Sequence, residues 1–137
     1  MKHIDYLYFN IYSYFYRISQ YRESVNARIQ AMYLFSLGSG GWLLMLQSLF
    51  LHFVKHTRFS SRIESTIFAV AVYMLTASLS HYIYIVKHRD LKIFGKYEDR
   101  IDHHPKRRLH FILSMAVLLM PYAVLLSFAL IFPRHSV

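Results

Sequence analysis

Three long stretches without one charged residue dominate the pattern along the chain: 31–54, 65–86 and 109–132, of 24, 22 and 24 residues. A helix rises ~1.5 Å per residue and a hydrocarbon core is ~30 Å thick, so about 20 residues cross it. All three stretches clear that length. A soluble three-helix bundle would carry a charged face on each helix, and these stretches have none. The pattern therefore predicts an all-α membrane protein, with an N-terminal amphipathic interfacial helix followed by three transmembrane helices.

The interfacial helix is read from residues 1–30. Ile4, Leu7, Ile11, Phe15 and Ile18 recur at spacings of three and four, and Asn10, Ser13, Arg17, Gln20 and Ser24 form an opposing polar stripe. Tyr6, Tyr12, Tyr14 and Tyr16 fall mostly along the borders, where a ring with one wet end is comfortable. A rival reading exists, because Tyr6, Tyr8, Tyr12, Tyr14 and Tyr16 are all even-numbered, the period of a strand. No second strand is apparent to pair its backbone, so the helix is preferred.

Between the stretches lie a ten-residue connection (55–64), a long basic block (87–108) and a short tail (133–137). Within the basic block, Asp90 to Arg100 is expected to extend the second span into water. His103-His104-Pro105 reads as a break before the third span. Glu64 is expected to belong to the cap of the second span, with Ser60 or Ser61 leading in.

Charge placement sets the expected topology. Lys2, Arg17, Arg22 and Arg28, with eight further Lys or Arg in 87–108, put twelve on one side; the short connection and the tail put four on the other. The positive-inside rule then predicts a cytoplasmic N-terminus and an outside C-terminus. The first apolar stretch is too long for a signal h-region and is expected to stay in the membrane.

Composition narrows the function classes. The 137-residue chain is 55% hydrophobic and 17% charged. It contains no cysteine, which excludes disulfides, thiolate metal sites and cysteine nucleophiles. Its net charge of +9 lies beside the spans, where residues such as Arg17, Lys106, Arg107 and Arg108 would meet anionic headgroups; nucleic acid is not an expected partner.

Each span carries a stripe of small or polar residues: Ser36, Gly40 and Gln47, then Ser65, Ala69, Thr76 and Ser80, then His110, Ser114 and Pro121. Helices in lipid associate through close backbone approach and interhelical hydrogen bonds, so these stripes are the expected packing surfaces. Gly38-Ser39-Gly40-Gly41 reads as a packing notch, with a hinge lining a cavity as the sharper alternative. His81 and His110 sit at similar depth in neighbouring spans and could ligate a haem iron or a divalent metal. Two donors fall short of a metal shell, and no metal or other cofactor is expected. His88-Arg89-Asp90 and Asp102-His103-His104 match kinase and phosphoesterase triplets in three letters only. The phosphate loop and the metal carboxylates those enzymes need are missing from the sequence, so no enzyme is expected.

The layout resembles two groups of small bacterial inner-membrane proteins. One is a set of uncharacterised three-span proteins with an aromatic N-terminal helix like Tyr6-Leu7-Tyr8-Phe9-Asn10-Ile11-Tyr12. After the second span these carry a basic helix like Lys92-Ile93-Phe94-Gly95-Lys96-Tyr97-Glu98-Asp99. The other is the immunity proteins for pore-forming colicins of the E1 type, which are short, basic, three-span and cysteine-free. The first likeness implies no activity. The small-residue stripes and the basic loop lead to the expectation of a non-enzymatic protein that binds another membrane protein or toxin by intramembrane helix–helix recognition, as an immunity or accessory subunit would. A homo-oligomeric pore or holin-like effector, and a haem- or quinone-linked redox subunit, are the alternatives.

Overall fold

The computed structural model describes residues 2–18, 25–55, 61–99 and 105–132. Helix α1 spans Lys2–Ile18 and α2 spans Val25–Phe50, continuing as a π-helical turn over Leu51–Lys55. Helix α3 spans Arg62–Ser80 and widens into π-helical turns over His81–Val86. Helix α4 spans Arg89–Tyr97 and α5 spans Arg107–Ile131. No strand occurs among the described residues, so the even-numbered tyrosines belong to a helix.

Among the described residues, three helices are long and apolar enough to cross a membrane: Val25–Lys55, Arg62–Val86 and Arg107–Ile131, with mean hydropathies of 1.4, 1.5 and 2.2. Their starts follow local chemistry. Ser61 caps α3 in an extended conformation, and its hydroxyl accepts the Glu64 N–H at 3.1 Å, while Glu64 places its charge against the positive end of the helix. Ser60, the other candidate cap, lies outside the described residues.

Helix α2 occupies the centre, packed against α1, α3 and α5. It runs unbroken through Gly38-Ser39-Gly40-Gly41, without a helix break at this run. At about 100° per residue, Gly38 and Gly41 share one face and Gly40 points elsewhere. A Cβ on Gly38 would collide with Leu118 of α5, and one on Gly41 would lie 2.8 Å from the Tyr122 ring of the same helix. A Cβ on Gly40 would lie 2.8 Å from the Tyr73 ring of α3. The notch thus admits one neighbour on each side.

Hydrogen bonds lock the three helices at the same level. Tyr73 and Tyr122 share a hydroxyl–hydroxyl bond of 2.6 Å, and the Tyr122 hydroxyl donates to the Leu37 carbonyl at 2.7 Å. The Trp42 indole N–H donates to the Val117 carbonyl at 3.0 Å. Each such bond between membrane helices contributes roughly 0.6–2 kcal/mol.

The connection after α3 departs from the expected helical extension. The Lys87 N–H bonds back five residues to Tyr82, and His88 then adopts the left-handed conformation (φ 51°, ψ 31°). This reverses the chain, so α4 folds back on α1 instead of continuing α3 into water. The reason is visible in its apolar stripe: Ile93 and Phe94 are buried against α1, a burial that a free extension would forgo.

Candidate functional site

The densest chemistry lies at one end of the bundle, where α1 and α4 cover the start of α2, the end of α3 and the start of α5. Helix α1 is favoured locally by Asp5 in its first turn and Arg17 in its last, each opposing the helix dipole. Tyr8, Tyr12 and Tyr16 follow at i, i+4 spacing, so they share a face. The Tyr8 ring stacks on Tyr84 of α3, with centroids 4.1 Å apart and planes at 3°, and meets Phe35 of α2 edge-on at 5.5 Å. Tyr12 and Tyr16 both touch Phe94 of α4, at 5.0 and 4.8 Å. On the side toward α5, Tyr14 stacks on Phe111 at 4.2 Å. Each well-formed aromatic pair adds about 0.5–1.5 kcal/mol beyond its burial.

Ion pairs tie α4 down. Arg28 of α2 donates to both oxygens of Asp90, from Nε at 2.5 Å and from Nη2 at 3.1 Å. The Asp90 side chain is wholly buried, and its Oδ1 also accepts the Leu91 N–H at 2.9 Å. Arg89 donates to Asp5 of α1 at 2.8 Å. The Tyr8 hydroxyl is buried near the first pair, without a hydrogen-bond partner among the described residues. Its burial, reinforced by the Asp90 charge, pushes its pKa far above the ordinary tyrosine range, so it stays neutral.

Helix α1 also differs from the expected helix with one lipid face and one water face. Asn10 and Ser13, expected on the water side, are buried. The Asn10 amide donates to the Ser114 hydroxyl of α5 at 3.0 Å, and that hydroxyl donates to the His110 carbonyl at 2.8 Å. Ile11, expected in lipid, is wholly buried, and Leu7 and Phe15 are half-buried; only Ile4 and Ile18 are exposed. The cause is that α1 packs against three helices at once, so its middle has no side left for lipid or water. Arg17 is half-buried, while Gln20 and Ser24 lie outside the described residues.

The expected packing residues fall as follows. Ser36, Gly40, Thr76, Ser80, Ser114 and Pro121 are buried within the bundle, and Gln47, Ser65 and Ala69 are half-buried. Lys106 and Arg108 are exposed and Arg107 is half-buried at the start of α5. The two candidate ligand histidines take different roles. His81 is exposed, whereas His110 is half-buried with its Nδ1 2.6 Å from the Tyr6 hydroxyl. Among the described residues, no group of three or more His, Cys, Asp or Glu could hold a metal ion. His103 and His104 lie outside them.

Sequence reasoning missed Asp90 and Arg28 as partners. A signal was present: Asp90 shares the helical spacing of Ile93, Phe94 and Tyr97, which puts a carboxylate on an apolar stripe. No signal identified Arg28 as its mate. The arrangement as a whole clamps helices together. No family profile, curated protein or solved structure matches this chain.

Proposed function

We propose that this chain is a non-enzymatic integral membrane protein that acts by binding another membrane protein, in the manner of an immunity or accessory subunit. The supporting observation is the direction of its polar groups. Ser36, Gly38, Gly40, Gly41, Thr76, Ser80, Ser114 and Pro121 are buried within the bundle, whereas the exposed faces of the spans are mainly apolar. An oligomeric pore would need those stripes turned outward to line a shared lumen. The recognition surface is accordingly the outward faces, including Leu43, Val70 and Leu119, which are 50%, 55% and 52% exposed. This differs from the small-residue stripes that the sequence alone suggested.

Photo-crosslinking residues at Leu43, Val70 and Leu119 are expected to yield one discrete adduct with a membrane protein, and the same probe at Thr76 only intrachain products. The purified chain in liposomes should leave an imposed potassium gradient intact. A ladder of self-adducts together with rapid leakage would replace this reading with the pore.

The orientation we propose is N-terminus and α4 in the cytoplasm, C-terminus outside, in a bacterial inner membrane. In it α1 lies at the cytoplasmic interface, with Ile4 and Ile18 toward lipid. Its support is the gathering of Lys2, Arg17, Arg28, Lys87, Arg89, Lys92, Lys96 and Lys106 to Arg108 around one end of the bundle. Alkaline phosphatase fused after Val137 should be active, and fused after Arg100 inactive. The reverse pattern overturns the orientation.

A further inference from the structure

Along the seam between α1 and the first turns of α5 runs a cleft of about 200 Å³. Its two ends differ in chemistry. At the upper end stand His3 and the Tyr6–His110 pair, with Asn10 and Ser114 closing the back wall. The cleft's apolar lining is Leu7, Leu113 and, furthest along α5, Val117. Leu113 and Val117 are 54% and 44% exposed, so the lower end opens sideways from the apolar helix α5. From His110 to Val117 the helix descends roughly 10 Å, the depth from a headgroup into the first part of an acyl chain.

Cations predominate around the upper end, although Glu98 and Asp99 follow Tyr97, whose ring packs on Tyr6. Lys2, Lys106 and Arg108 are exposed there, and the first turn of α5 contains no acid. The nearest acid on α1, Asp5, is engaged by Arg89. A cleft with polar groups and cations above and aliphatic walls below matches a molecule built the same way.

We propose that this cleft is a specific site for one anionic phospholipid, its phosphate held at His3 and His110 and its acyl chain laid along Leu113 and Val117. The Tyr6 hydroxyl against Nδ1 holds the His110 ring in place, and the cations select a net negative headgroup over a zwitterionic one. This is distinct from general attraction of basic residues to a charged surface, because it is saturable and bound to one seam. It does not depend on which protein the outward faces recognise.

The chain carries its own reporter. Trp42 is its single tryptophan, and its bond to the Val117 carbonyl puts the indole behind the apolar wall of the cleft. The full chain would be placed in nanodiscs of phosphatidylcholine with rising fractions of phosphatidylglycerol brominated on its acyl chains. Brominated phosphatidylcholine serves as the comparison. Trp42 fluorescence should be quenched saturably, with half-quenching at a roughly tenfold lower fraction of the anionic lipid, the scale of a charge-assisted hydrogen bond. His110→Gln should move the anionic curve most of the way to the zwitterionic one. His3→Gln, at an exposed position, should move it several-fold without touching the fold. Coincident curves for the two lipids, or an anionic preference that neither variant changes, overturn the site. Displacement of the brominated lipid by an equimolar short-chain quinone overturns the assignment of a phospholipid as its occupant.

Discussion

Replacing Asp90 with alanine is expected to destabilise the protein by about 3 kcal/mol, among the largest effects of any single truncation in the chain. The carboxylate is wholly buried and accepts two bonds from Arg28 and one from the Leu91 N–H. Truncation leaves the guanidinium against Tyr8 and Tyr12 without its counter-charge. Arg28 retains 18% side-chain exposure, which lets water recover part of the loss and holds the effect at the low end of the range for buried pairs. The pair also holds α4 against α2, so its loss should free α4 first. Protease cleavage within α4 should rise before the spans unfold in a detergent melt. The double variant Arg28→Met with Asp90→Leu should recover most of the stability, because it removes both charges together. If Asp90→Ala melts with the parent and α4 stays protected, the clamp is not what holds this helix.

The second large effect is expected at Gly38. A Cβ there would lie 2.9 Å from the Leu118 Cβ, which cannot swing away as a side-chain tip could. Helices α2 and α5 must part, straining the Trp42–Val117 and Tyr122–Leu37 bonds at the same seam. Gly38→Ala should therefore cost about 3 kcal/mol, at the upper end for overpacking a tight site. Gly40→Leu should impair assembly similarly, by driving Tyr73 and Thr76 out of the α2–α3 contact. Gly95 is the internal control. It sits in α4, exposed, with nothing within 4 Å of a new Cβ. Gly95→Ala should stabilise by about 0.5–1 kcal/mol through the lost backbone freedom of glycine. Equal melting temperatures for Gly38→Ala and Gly95→Ala would remove the argument for the notch.

The three membrane-length helices were legible because their signal is one-dimensional. A stretch of twenty or more uncharged residues needs no partner to be recognised, since the bilayer acts on each residue separately. The cap at Ser61 was readable for the same reason, being made by neighbours in sequence. The notch at Gly38 to Gly41 was visible too, because glycine clusters inside a span have few other uses.

What the pattern could not settle was every choice between water, lipid and protein as the environment of a face. Asn10 and Ser13 look like a water-facing stripe until Ser114, a hundred residues away, supplies the partner that lets them be buried. Ile11 looks lipid-facing until three helices close around it. Asp90 looks like a solvated loop charge until a left-handed turn at His88 folds α4 back and brings it to Arg28, 62 residues earlier in the chain. The sequence by itself determined three apolar stretches of membrane-spanning length and the uneven charge between them, because these follow from the affinity of each residue for water or hydrocarbon; it did not place the end of α1 at Ile18 or the start of α2 at Val25. Only the tertiary structure decided which polar groups are satisfied inside and which surfaces remain outside. That depends on pairs brought together by folding, and no local pattern records a partner that far away.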